Sequence, residues 1–354
     1  MLKPISARLS CCLSLWAALV VAVGMFGGIP GAWACSVPVF RYALDRWPGE
    51  LYELRVDREA AAKPEIAPLL DRLRTNSLAN LTVQMSASTE AGAAKLMFTD
   101  PPGGEVWSAP LTAASLETLL DSPIRREIAR RIAHGDSVVW VLVESGDKSA
   151  DDGIARVLEQ RLKQWATVAS LPEQDADPSS ELGPGPALVL RFSVLRLSRQ
   201  DPREAATLAM LEANSDEVRK LRPVPVAFPV FGRGRVLAAV PKENLTPEGI
   251  DEICAFLTGA CSCQVKDSRT GWDLLLCFNW DEELARVEEE RQSAGAEKPP
   301  VAQPAPKAET VVIRGEPTPV ESPRGSGWRV WGAVAVVLAG IAGIAWVGWS
   351  KRKP

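Results

Sequence analysis

The chain has 354 residues and a formal net charge of -4, which gives no electrostatic reason to expect a nucleic-acid partner. Its 46% apolar content suffices for a core, and 24% charged residues is ordinary. A single histidine, His134, excludes a multi-histidine zinc centre and leaves a Ser-His-Asp triad only if His134 is the base. Its setting, Arg130-Arg131-Ile132-Ala133-His134-Gly135, reads instead as a helix C-terminus closed by glycine.

In chain order, residues 1–34 read as an export signal. Lys3 and Arg8 supply a positive start, Cys11–Phe26 is an almost unbroken apolar run, and Ala32-Trp33-Ala34 is a small-x-small cleavage site. Cleavage there makes Cys35 the first mature residue, a site for lipidation or a free thiol. Ala32 and bulky Trp33 stand where a lipobox carries Leu and a small residue, so ordinary signal-peptidase cleavage fits better.

An N-terminal α/β lobe is expected over residues 35–170. Val39–Trp47 reads as a helix opened by Pro38 and stopped by Pro48-Gly49. Leu51–Val56, Leu78–Ser86 and Lys95–Thr99 read as strands, and Pro64–Leu73 and Ser115–Ala133 as amphipathic helices. The β-branched run Ser137–Val143 predicts a central strand buried on both faces, followed by a helix over Asp151–Trp165. Residues 171–186, rich in Pro, Gly, Ser and acids, either divide two lobes or form a long loop. A C-terminal lobe, residues 187–292, predicts strands at Ala187–Leu197, Val224–Phe231, Arg235–Val240 and Leu274–Phe278. Its helices are expected at Glu204–Leu211, Thr246–Thr258 and the charged Asp281–Gln292.

Residues 293–327, with Pro299-Pro300, Pro304, Pro306, Pro317, Pro319 and Pro323, read as a proline-rich stalk with too few large apolar residues to offset ordering entropy. Within residues 328–350, Trp331–Trp349 carries no charge and is long enough to cross roughly 30 Å of hydrocarbon. Tryptophans flank both ends, and Lys351, Arg352 and Lys353 place the tail, residues 351–354, on the cytoplasmic side. These features describe a bacterial envelope protein anchored in the inner membrane, its ectodomain periplasmic.

Five cysteines follow the signal: Cys35, Cys254, Cys261, Cys263 and Cys277. An exported compartment favours disulfides, the odd number leaves one thiol over, and Cys254–Cys261 and Cys254–Cys277 are both possible bridges. Cys261-Ser262-Cys263 is a poor internal disulfide, better suited to pairing outward, thiol exchange or holding a soft ion. Cys254, Cys261, Cys263 and Cys277 together form a candidate redox or copper or zinc set, although their spacing matches no zinc knuckle. The turn Gly232-Arg233-Gly234-Arg235 has two readings. Arg233 and Arg235 could grip an anion, or the glycines could serve a hairpin with both arginines in water. No phosphate loop, nucleophile elbow or dinucleotide fingerprint occurs.

Strand–helix–strand–strand–helix over Ala187–Gly259, with Pro225 or Pro229 leading a hairpin and Thr246–Thr258 closing it, resembles the C-terminal half of thioredoxin-like domains. That resemblance implies two such lobes, mixed sheets flanked by helices, and a proline facing an active-site turn that follows a strand. The family's catalytic CxxC is absent, since Cys35 leads only into Ser36-Val37-Pro38-Val39. The start CSVPVFRYALDRW and the blocks PVFGRGR and CSCQVK also resemble exported, membrane-anchored bacterial proteins. The reading is an α/β ectodomain plus one C-terminal transmembrane helix, acting as a non-catalytic binding or assembly module for an envelope protein partner, without a cofactor. The alternative is periplasmic thiol–disulfide or copper handling at Cys261-Ser262-Cys263.

Overall fold

A computed structural model describes residues 36–295 apart from 76–77, 88, 100–103, 175–179, 214–219, 221–223, 263–264 and 266–267. The expected signal, most of the stalk, the span and the basic tail lie outside the described residues. Among those described, no helix is long and apolar enough to cross a membrane.

The chain opens with α1 (Val39–Arg46) and then builds a mixed four-stranded sheet in the order β2-β1-β3-β4. Its strands are β1 (Tyr52–Asp57), β2 (Leu81–Ser86), β3 (Ala93–Phe98) and β4 (Glu105–Pro110). Two helices, α2 (Arg58–Ala61) and α3 (Ala67–Thr75), bridge β1 and β2 and make them parallel, with Tyr52 opposite Leu81 and Asp57 opposite Ser86. Strands β3 and β4 run antiparallel to their neighbours.

After α4 (Ala113–Leu120) and α5 (Pro123–Ala133) comes a second, six-stranded mixed sheet, ordered β10-β8-β7-β5-β6, with β9 also on β7. Its strands are β5 (Val138–Val143), β6 (Phe192–Leu197), β7 (Val226–Phe231), β8 (Arg235–Val236), β9 (Val240–Pro241) and β10 (Trp272–Asp273). Helix α6 (Lys148–Val168) links β5 to the parallel β6, and α7 (Ala205–Ala213) leads toward β7. Strand β7 is antiparallel to β5, β8 and β9 are antiparallel to β7, and α8 (Pro247–Thr258) and α9 (Trp280–Ser293) follow. The first four strands of each sheet thus share one order (second, first, third, fourth) with the first two parallel.

Strand β5 is buried at every residue, as its β-branched run predicts. Alternation sends its side chains into two cores. Val139, Val141 and Val143 join Tyr52, Leu54 and Leu96 of the first sheet, Ile128 and Ile132 of α5, and Leu208 and Leu211 of α7. Val138, Trp140 and Leu142 join Val39 and Phe40 of α1, Leu158 and Leu162 of α6, and Ile250, Cys254 and Leu257 of α8. The second sheet is therefore covered on both faces.

Several elements differ from expectation for local reasons. The helix expected over Ser115–Ala133 is two, because Pro123 cannot donate a backbone bond and Ser122 restarts the helix by accepting from the Arg125 amide. Strand β4 went unforeseen, since its apolar residues do not alternate cleanly. Leu274–Phe278 is not a strand. The Asn80 side chain donates to the Leu274 carbonyl at 3.1 Å and accepts from the Leu276 amide at 2.8 Å, giving this backbone an amide partner in place of a ladder.

Residues 171–186 connect strands of one sheet, because β5 before them pairs with β6 after them over six positions. They fold back on α1. Buried Arg41 chelates Asp45 at 2.9 Å and donates to the carbonyls of Gly183 and Pro186, both at 2.6 Å, while Asp45 accepts from the Gly183 amide at 3.0 Å.

Candidate functional site

Three of the four candidate cysteines are described, and these three do not converge on one site. Cys254 sits on the inward face of α8 between Ile250 and Leu257, wholly buried. Burial first, then the nearby Asp251 carboxylate, pushes its thiol up to about 12, so the nucleophilic thiolate is scarce at neutral pH. Cys261 is buried in the same core. Its amide donates to the Val37 carbonyl at 2.9 Å and the Val39 amide donates to the Gly259 carbonyl at 3.0 Å, flanking an antiparallel bridge between Pro38 and Ala260. Cys277 lies elsewhere, exposed and bridged through its backbone to Ala79 beside the first sheet, with Arg125 and Asp121 nearby. Its sulfur is partly covered, and that desolvation raises its thiol above the ordinary value. Cys35 and Cys263 lie outside the described residues. Among the described residues, no group of three or more His, Cys, Asp or Glu side chains is placed to hold a metal ion.

The glycines of the arginine turn do adopt left-handed backbone, with φ of +58° at Gly232 and +99° at Gly234. The arginines, however, do not both splay into water. Arg235 is 3% exposed and stacks on Trp47, its guanidinium carbon 5.5 Å from the ring centroid. It donates to the Thr270 and Gly271 carbonyls at 2.9 and 3.0 Å, to the Arg269 carbonyl, to Asp273 at 3.1 Å and to Glu50 at 2.9 Å. Arg233 donates to the Leu44 carbonyl and to Asp281, each at 2.9 Å. Internal acceptors occupy Arg235, while Arg233, a quarter exposed, bonds the Leu44 carbonyl and the exposed Asp281, so the turn ties α1, β10 and α9 together.

His134 caps α5, with Nδ1 2.8 Å from the Arg130 carbonyl and Nε2 facing Arg286 at 3.3 Å and Glu283 at 3.8 Å. Its described neighbours are charged side chains and a carbonyl, with no hydroxyl or thiol for it to activate.

One feature escaped sequence reasoning, the turn Glu144–Asp147 between β5 and α6. Val143 pairs with Val226, so buried Pro225, just before β7, stands beside this turn. The turn is internally satisfied. The Asp151 carboxylate, 2% exposed, accepts from the Ser145 amide at 2.8 Å, the Ser145 hydroxyl at 2.9 Å and the Gly146 amide at 3.0 Å. Asp147 caps α6 by accepting from Ser149 and Ala150, and Glu144 and Asp152 both pair with Arg196. The turn contains neither cysteine nor histidine. Its only sequence signal is its place between a buried strand and a capped helix.

A second unforeseen feature is an open groove of about 550 Å³ at the C-terminal ends of α6 and α8, lined by Trp165, Val168, Leu171, Pro172, Ala255 and Thr258. Val168, 67% exposed, is its most prominent apolar side chain. Compared with known proteins, the chain matches no family model, no curated protein and no solved structure.

Proposed function

We propose that this chain is a non-catalytic, thioredoxin-like binding or assembly module, exported and tethered by its C-terminal span beside an envelope protein partner. The carrying observation is the turn Glu144–Asp147, which sits where the thioredoxin-like resemblance requires the redox turn: after the first strand of the sheet, at the start of a helix, next to a proline that leads the third strand. Both sheets support the resemblance through their shared strand order, and the likeness extends upstream of Ala187 to β5. At that position the chain carries Ser145, Gly146 and Asp147 held by a buried carboxylate in place of thiols. The buried, high-pKa thiol of Cys254 adds no reactive sulfur.

The test is thiol–disulfide turnover by the detergent-solubilised full chain, with insulin reduction and oxidation of a dithiol peptide as readouts. Rates equal to buffer, unchanged in Cys254→Ala and Cys261→Ala variants, support the proposal. Turnover that disappears with one named cysteine overturns it in favour of thiol or copper handling at Cys261-Ser262-Cys263.

A further inference from the structure

Strand β6 forms one edge of the second sheet: it pairs with β5, and among the described residues no strand lies on its other side. The Arg191 and Leu197 carbonyls both accept from the β5 side, from the Ser137 amide at 2.7 Å and the Glu144 amide at 2.9 Å. Alternation along the strand therefore turns the amides and carbonyls of Phe192, Val194 and Arg196 toward the open edge. Folded proteins commonly blunt such edges. Strand β4 carries Glu105, Pro110 and a register break, β10 has two residues, and in β2 the Leu81 amide already donates to the Ala79 carbonyl. Strand β6 has no proline and no bulge, and its one charge, Arg196, is held by Glu144 and Asp152.

Helix α6 lies beside this edge, since Arg196 reaches Asp152 at 2.7 Å. Asp152, Arg156, Glu159 and Lys163 recur at helical spacing on one side of α6, opposite the side where Arg161 pairs with Asp251 of α8. The last three are exposed. Their signs alternate, so a two-fold axis sets Asp152 against Lys163 and Arg156 against Glu159 of another copy. Because α6 runs opposite to β6, the middle of this row, about 8 Å along the helix from Asp152, lies about two to three residues back along the strand from Arg196, level with Val194.

We propose that a second copy of this chain docks here, its β6 antiparallel to the first across a two-fold axis at Val194. In that register Val194 faces its own copy and Phe192 faces Arg196, so the outward amides and carbonyls of all three residues are paired and the two sheets become one. The charged rows of the two α6 helices then meet with opposite signs. Shifting the register in either direction leaves part of the edge unpaired. The proposal adds a like partner to the tethered module and does not depend on its being non-catalytic.

Sedimentation of the detergent-solubilised full chain is the test. A dimer is expected, with its dissociation constant raised at least about tenfold by Val194→Pro, which removes an outward donor and leaves the bonds from Ser193 and Leu195 to β5 in place. Arg156→Glu and Glu159→Arg, both at exposed positions, should each weaken the dimer and together restore it, a pattern that loss of fold cannot produce. Under mild oxidation Val194→Cys should form a link between copies that neither the wild-type chain nor Val83→Cys, midway along the β2 edge, forms. A wild-type chain that stays monomeric at roughly 100 µM overturns the proposal. So does a dimer indifferent to Val194→Pro and to the charge exchange, or a link at position 83.

Discussion

Arg125 shows how a single buried side chain can hold several elements. It is 2% exposed, and burial lowers its guanidinium to about 10 against the raising influence of Glu204. It donates to the carbonyls of Leu275 and Leu119 and to Thr207 Oγ1, while Glu204 accepts from Ser122, Thr207 and the Ile124 amide. Replacing it leaves these acceptors and the Glu204 charge without compensation. Arg125→Met is therefore expected to cost about 3–5 kcal/mol, read as a lowered urea midpoint at unchanged slope. Thiol chemistry offers a second check at this scale. Cys254, its pKa about 12, should stay unlabelled by a thiol reagent at pH 8 in the native protein and react on unfolding, whereas exposed Cys277 labels first. Acid titration offers a third. Hydrogen bonds from Arg130 first, then Arg131, hold Glu127 down to about 2, and those from Arg291 and Gln292 do the same for Glu288. Their folded values lie below the unfolded one, so their contribution is complete above pH 4.5 and is lost as pH falls toward 2. Glu127→Gln with Glu288→Gln should flatten that limb of the stability curve, each by less than about 1 kcal/mol because solvent screens both pairs.

At the scale of elements, backbone conformation dominates the β7–β8 connection. A Cβ on Gly232 would lie 2.7 Å from Cβ of Ala43 in α1, and the residue holds φ +58°. Gly232→Ala thus combines backbone strain with a clash against a buried helix. It should destabilise by more than the roughly 1 kcal/mol of a strained glycine alone, as thermal unfolding will show. Helix α8 starts as its sequence implies, with Thr246 accepting from the Gly249 amide at 3.2 Å and Pro247 in the first turn. Caps of this kind were readable because their physics is local. The irregular 274–278 segment was not, because its partner, the Asn80 side chain, comes from distant sequence, and β4 was missed because its apolar residues do not alternate cleanly.

Across the described molecule, one core joins the two sheets: Tyr52, Leu54 and Leu96 pack with Val139, Val141 and Phe228. Far-UV circular dichroism and tryptophan fluorescence should therefore report coincident urea transitions for the folded part. Cutting within 171–186 separates β5 from both its neighbours, β6 and β7. Fragments 35–170 and 187–292 are expected to remain unfolded singly and to regain structure on mixing; independent folding of either would contradict the shared sheet.

What the sequence determined by itself was local or compositional. It carried the mixed α/β class, the buried β5, the C-terminal end of α5, the start of α8 and the glycine turn, because periodicity, capping and φ preference act over a few residues. Only the tertiary structure decided which strands pair across 171–186, that Arg235 faces inward acceptors, and that Cys254 and Cys277 belong to different regions. It also decided that Pro225 meets the turn Glu144–Asp147. These depend on register and burial between segments far apart in the chain. The same residues, read in order, allow an exposed arginine as readily as a buried one.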